Sequence, residues 1–469
     1  MSVQPTRLDV EDLQHSLHEV QQMLAHLRLA EGEAAAPSPQ TLAELRARLD
    51  RLHPADVAAM LEALPLEERQ LAWDLVKADR DGEILLEVSD AVRESLIARM
   101  DSRELVAAAE TLEADEIADI ADDLPEQVMQ DVIRALPQDE REQLRAAMSY
   151  EEGSVGALMD FDQLTVRPDA TLGAVTKYLR ALDELPGGQS DQLFVVDQEQ
   201  RLQGTLPLAR LIVSDLQLAA GQVMVPEGVR FHPEHRAEDA AKAFERYDLV
   251  SAPVTDHFGR LIGRLTVNAV VDYIRAKSEQ AQLAEAGLRE GEDVFASVWN
   301  RFRNRWSWLA INLVTAFIAS RVIGAFEGSI EKLVALAALM PIVAGIGGNS
   351  GNQTITMIVR ALALGKIPDT YWKKLLAKEL GVATVNGVLW GTLLGVVAYL
   401  LYGSVALGGV MALAMTLTLL LAAFMGVMIP YLRVRFGRDP AVGSSVLITA
   451  CTDSGGFFIF LGLATLFLL

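Results

Sequence analysis

The chain is poor in the residues that carry redox and soft-metal chemistry. Its 469 residues include one cysteine, Cys451, and seven histidines. A single thiol makes no intrachain disulfide, so it says nothing of the compartment. No His-Glu-x-x-His run occurs, which excludes the usual zinc-protease helix. The first residues are polar and charged and lack the apolar core of a secretory signal, so the N-terminal half is expected to stay in the cytosol. Acids are scarce at one end only. Residues 299–469 hold 6 Asp+Glu against 13 Lys+Arg, whereas residues 1–298 hold 57 against 28. An acidic half argues against a nucleic-acid partner, because it repels phosphate. It suits divalent cations, which prefer carboxylate oxygen.

What is present in the last third is apolar. Five stretches are each long enough to cross a bilayer: Trp306–Phe326, Ile330–Leu364, Leu375–Tyr402, Val405–Leu432 and Val442–Leu469. Basic residues cluster before the first (Arg301, Arg303, Arg305), between the second and third (Arg360 to Lys378), and between the fourth and fifth (Arg433 to Arg438). That alternation predicts five spans, cytosolic N-terminal domains and a C-terminus outside.

The second stretch carries PIVAGIGGNSGNQT, Pro341 to Thr354. Four glycines and a run of amides and hydroxyls at membrane depth need cover from protein or water. The expectation is a lining whose glycine carbonyls turn away from the helix. The competing reading is a small-residue packing seam, since Gly347 and Gly351 have Gly-x-x-x-Gly spacing. The fifth stretch holds Asp453 in ITACTDSGGFF, read as the only acid deep inside a span and therefore functional. An aspartyl intramembrane protease would need a second such acid. One carboxylate with amides, hydroxyls and carbonyls is a hard-oxygen set suited to Mg²⁺. A two-fold dimer would bring two copies of Asp453 to one axis.

The soluble half begins with a helix, Val10 to Leu29, and a linker, Ala30 to Gln40, together 1–40. Residues 41–150 are helical, with HPADVAAMLEALP (His53–Pro65) repeated as EADEIADIADDLP (Glu113–Pro125), 60 residues on. Helices closed by Leu-Pro predict a superhelical stack. Asp115, Asp119 and Asp122 share a helix face, where they repel unless a cation is near. In residues 151–276, QLFVVDQEQRLQGTLPLARLI (Gln192–Ile212) parallels SAPVTDHFGRLIGRLTVNAVV (Ser251–Val271). This β-α-β-β-α tandem resembles a pair of CBS (cystathionine-β-synthase-type) domains. The resemblance implies an adenine-nucleotide site, such as ATP, at Thr266 and Asn268; a helix N-cap is the bland alternative. Residues 277–298 link it to the membrane half, 299–469.

Together, GGNSGNQT, TDSGG, the helical N-domain, the CBS pair and the five stretches resemble the MgtE family of bacterial magnesium transporters. That resemblance implies a multidomain protein: a cytosolic all-α superhelical N-domain, an α+β tandem CBS pair and a five-span α-helical membrane domain. It implies a homodimeric Mg²⁺ channel in the inner membrane, closed by cytosolic Mg²⁺. By motif match, the pore positions are Asp453, Gly345, Gly348, Asn352 and Thr356. The regulatory acids are Glu83, Asp115, Asp119, Glu238, Asp248, Asp272 and Asp439. Family acids are absent at Ala269, Lys277, Gln280 and Ala281, which predicts fewer bridging ions. A membrane-tethered cation or nucleotide sensor without transport is the alternative function.

Overall fold

The computed structural model describes residues 14–24, 39–182, 190–226, 228–285, 287–288, 294–363, 367, 371–440 and 443–469. The ends of the expected N-terminal helix and most of its linker lie outside them. Contacts divide the chain into two compact units, Met1–Lys277 with Asp293–Ala296, and Ser278–Glu292 with Ser297–Leu469.

In the first unit, α1 (14–24) buries Val20 and Leu24 against α2 (Pro39–Leu49), which contributes Leu45 and Leu49. Four helix pairs follow: α3 (Pro54–Glu62) and α4 (Leu66–Trp73), α5 (Asp81–Glu87) and α6 (Asp90–Ile97), α7 (Ser102–Ala109) and α8 (Ala114–Ile120), α9 (Glu126–Ala135) and α10 (Gln138–Ala147). The second helices of the pairs begin at 66, 90, 114 and 138, a strict period of 24. This corrects the 60-residue repeat read from sequence, which aligned the first helix of one pair with the second helix of another. The apolar residue before each second helix keeps the same period: Leu64, Val88, Leu112 and Leu136 are all buried.

Arginines follow the same register. Arg69 donates from Nε to the Leu61 carbonyl at 2.8 Å and from Nη2 to the Leu64 carbonyl at 3.2 Å. Arg93 does the same to Leu85 at 2.8 Å and Val88 at 3.1 Å. Arg141 Nη2 donates to the Leu136 carbonyl at 3.0 Å. Each guanidinium thus satisfies carbonyls that end the preceding helix. Arg69 is fully buried. Arg69→Met keeps the stem but strands both carbonyls, each charge-assisted bond being worth ~1.5–3 kcal/mol. The first thermal transition of the full chain in detergent should fall by several degrees; an unmoved transition would remove this capping role.

The first half of the tandem comprises β1 (Thr165–Val166), α11 (Leu172–Leu179), β2 (Gln192–Val196), β3 (Leu202–Pro207) and α12 (Leu208–Val213). β1 runs parallel to β2, and β2 antiparallel to β3. The second half comprises α13 (Ala220–Val223), α14 (Ala237–Tyr247), β4 (Ser251–Thr255), β5 (Leu261–Thr266) and α15 (Val267–Glu285). Phe231 pairs in parallel with Val254, standing in for β1. Both hairpins slip register at the same point, Val195/Val196 and Val254/Thr255. The expected β-α-β-β-α order is therefore present twice. α15 continues past residue 276, where the sequence reading ended the tandem.

The second unit contains α16 (Val298–Gly324), α17 (Glu327–Lys332), α18 (Ala335–Ala363), α19 (Trp372–Tyr402), α20 (Val405–Arg435) and α21 (Ser444–Phe467). Among the described residues, four helices are long and apolar enough to cross a membrane: α16 (from Arg301), α19, α20 and α21. α18 has the length, 29 residues, but its glycines and amides lower its hydropathy. α20 packs against α18, α19 and α21. Leu309, Leu313, Phe317, Leu389 and Leu400 stay exposed on α16 and α19, as lipid-facing side chains do.

Candidate ion path and acidic cluster

α18 is one unbroken helix from Ala335 to Ala363, with Pro341 inside it. The expected outward turn of glycine carbonyls does not occur. The two readings of its glycines instead divide by helix face. A methyl at Gly347 would lie 2.6 Å from Thr418 Cγ2, and one at Gly351 2.5 Å from Ile448 Cγ1. These two form the seam that lets α20 and α21 approach closely. A methyl at Gly345 would meet nothing, and one at Gly348 would touch Thr452 Oγ1 at 3.7 Å.

The other face is polar and open. Asn349, Asn352, Gln353, Thr356, Met357 and Arg360 line a cavity of ≈ 660 Å³. The Asn352 Oδ1 is buried without a hydrogen-bond partner among the described residues, as is the Oγ1 of fully buried Thr418. A stranded amide oxygen at membrane depth costs several kcal/mol unless water or an ion meets it. Asp453 is half-buried on α21, next to Thr452, the residue that faces Gly348. The sequence reading missed a second acid inside a span, Glu379, eighth in α19. Its Oε2 accepts the Thr354 hydroxyl at 3.3 Å. Lys373, Lys374 and Lys378 beside it made it look like loop.

In the first unit, a cavity of ≈ 260 Å³ is lined by Glu113, Asp115, Glu116, Asp160, Thr266 and Asn268, among others. Carboxylate oxygens of Glu113, Asp115 and Asp160 lie within 4.8 Å of one another. Glu113 caps α8, its backbone N–H donating to Glu116 Oε2 at 2.9 Å. Asp160 is fixed by Arg264, Nε to Oδ2 at 2.7 Å. Burial, then Asp160, pushes the Asp115 carboxyl up to about 8. Burial, then Asp162 and Asp160, pushes Glu113 up to about 7. Of the regulatory acids expected, Asp115 is in this cluster. Glu83 acts electrostatically on Glu116. Asp272 raises both Asp119 and Glu87, after burial.

The remaining expected acids sit elsewhere. Glu238 is tied to Arg236 and Lys242, both at 2.7 Å. Asp248 is exposed at the left-handed C-terminal cap of α14, φ 50°. Asp439, in the second unit, gives its carbonyl to Arg433 Nε at 2.7 Å. Glu113 and Asp160 were not singled out from sequence. Asp160 meets Arg264 across 104 residues, and no local pattern reports such a pairing. The nucleotide candidates Thr266 and Asn268 face the acids.

Comparison with known proteins agrees with this architecture. The MgtE family model, described as a divalent cation transporter, matches residues 340–463. The MgtE intracellular N domain matches 52–153 and a CBS domain 220–276. The magnesium transporter MgtE of Thermus thermophilus is 30% identical over 440 residues, covering 90% of this chain and 95% of that one. That of Bacillus subtilis is 24% identical over 427 residues, covering 91% and 94%. A solved structure of the cytosolic domain of the Mg²⁺ channel MgtE in complex with ATP is 28% identical, covers 53% of this chain and 99% of that one, and superposes with TM-score 0.46. With such a relative along nearly its whole length, the chain belongs to the MgtE family of divalent cation transporters.

Proposed function

We propose that the chain is a Mg²⁺-selective channel for uptake across the bacterial inner membrane, working as a homodimer and throttled by cytosolic Mg²⁺. The observation that carries this reading is the open polar face of α18 with its stranded Asn352 oxygen. Lipid cannot cover that face without leaving amides unpaired. A second copy, related by a two-fold axis, covers it and leaves a hydrated lumen between two such faces. Mg²⁺ dehydrates reluctantly, so amides and hydroxyls suit its water shell, and the paired Asp453 carboxylates supply charge. α18 joins the four apolar helices as the fifth span. The basic loops put the N-terminal domains in the cytosol and the C-terminus outside. The two relatives named magnesium transporters support the choice of ion.

The acids of the first unit serve as the sensor. Mg²⁺ held among Glu113, Asp115 and Asp160 relieves their repulsion and favours the closed state, by its differential affinity for it. ATP at Thr266 and Asn268 would need Mg²⁺ to mask those carboxylates. A tethered sensor without transport has no use for the stripe on α18. The purified chain in proteoliposomes should take up Mg²⁺. Asn352→Ala should slow uptake about tenfold, the value of one amide contact of ~1.4 kcal/mol. No uptake by the unaltered chain, or full uptake by the variant, would overturn the reading.

A further inference from the structure

Arg360 ends the polar face of α18. It follows Asn349, Asn352, Gln353 and Thr356 at helical spacing, and it lines the same cavity. It is exposed there, and among the described residues no carboxylate pairs with it. Buried arginines are tied: Arg69 and Arg93 to carbonyls, Arg264 to Asp160. The guanidinium keeps its charge at every working pH. Eight residues separate it from Asn352, ~12 Å along the helix. That is about one and a half Debye lengths in physiological salt, and low-dielectric walls screen less than bulk water.

A fixed positive charge on the wall of a cation path needs a reason. We infer that Arg360 makes the path rectify, as a cationic collar at its inner mouth that passes Mg²⁺ inward and holds cytosolic cations back. The inference rests on the proposed path and on α18 ending at the cytosolic side. An ion from outside crosses most of the membrane field before it meets the collar, so a negative interior drives it over. An ion from the cytosol meets the collar first, with almost none of the field behind it. Two copies place two such charges about one axis, and a divalent ion feels each of them twice as strongly as a monovalent one.

An arginine that only anchors the helix end at the interface leaves current–voltage curves unchanged when it is replaced. The test is Mg²⁺ current through the full chain in planar bilayers, with equal Mg²⁺ on both sides, held below the concentration that half-closes the unaltered chain. Arg360→Gln should raise outward current at positive potentials about tenfold relative to inward current. Arg360→Glu should raise it further, and Arg360→Lys should keep the rectification. The difference between Gln and Arg should shrink as salt rises. Wild-type curves for Arg360→Gln and Arg360→Glu, with conduction intact, would overturn the inference. So would rectification lost equally in Arg360→Lys, because a lost shape rather than a lost charge would then be at work. If Asn352→Ala abolishes flux while all three Arg360 variants rectify normally, the path stands and the collar falls. If Asn352→Ala conducts normally, the path itself falls.

Discussion

Asp453→Asn should fold, insert and lose most Mg²⁺ flux. The change keeps the size and most of the hydrogen bonding of the side chain and removes only its charge. Unit charges 4 Å apart attract by ~4 kcal/mol at an effective dielectric of ~20, and a divalent ion doubles that. If only a third of it survives the ion's water shell, the loss is about 3 kcal/mol, or roughly a hundredfold in flux. Asp453→Glu restores the charge and should recover part of it. The measurement is Mg²⁺ uptake into proteoliposomes at matched protein density. Uptake by Asp453→Asn within a few-fold of the unaltered chain, with selectivity intact, would show that Asp453 is a structural acid. Glu379 would then be the next candidate, since it reaches α18 through Thr354.

Legibility in the sequence followed the range of the interaction. The CBS tandem was readable because strand, turn and helix recur locally. The glycine- and amide-rich stretch on α18 was readable as composition but not as geometry. Gly345, Gly347, Gly348 and Gly351 look alike in sequence, and only the packing of Thr418 and Ile448 shows which two are seam and which two face open space or Thr452. The helical repeat was misread because Pro follows Leu64, Leu124 and Leu136, while Val88 and Leu112 lack it. Leu124 belongs to the loop between pairs. The buried apolar position and the capping arginine carry the 24-residue period, and Ile117 replaces that arginine in the third pair. Glu113 and Asp115 sit together at the start of α8, and Asp160, which joins them from a distant stretch of chain, is the member that depended on tertiary structure.

Proton competition at that cluster should make Mg²⁺ control depend on pH. Asp115 is raised to about 8 and Glu113 to about 7, by burial first and by neighbouring carboxylates second. Asp160, Asp162 and Glu116 press the same way, and Arg264 opposes them. Between ordinary carboxylate values near 4 and about 8, the folded cluster holds protons that an unfolded chain has released. Its contribution to stability is therefore complete at low pH and lost as pH rises through 7 to 8. In a chelator, the cytosolic transition of the full chain should melt lower at pH 8.5 than at pH 6.5. Mg²⁺ replaces the protons, so its stabilising shift should be larger at pH 8.5. Each proton displaced allows up to tenfold tighter binding per pH unit, because only the deprotonated ligand binds metal. The Mg²⁺ needed for half-closure should thus fall by roughly tenfold or more between pH 6.5 and 8.5, as read from current under cytosolic-side Mg²⁺. Asp115→Asn should flatten both dependences. It removes the carboxyl that burial and Asp160 raise to about 8, and with it a proton that Mg²⁺ must displace. Equal Mg²⁺ shifts at the two pH values, in both the unaltered chain and Asp115→Asn, would place the sensor away from Glu113, Asp115 and Asp160.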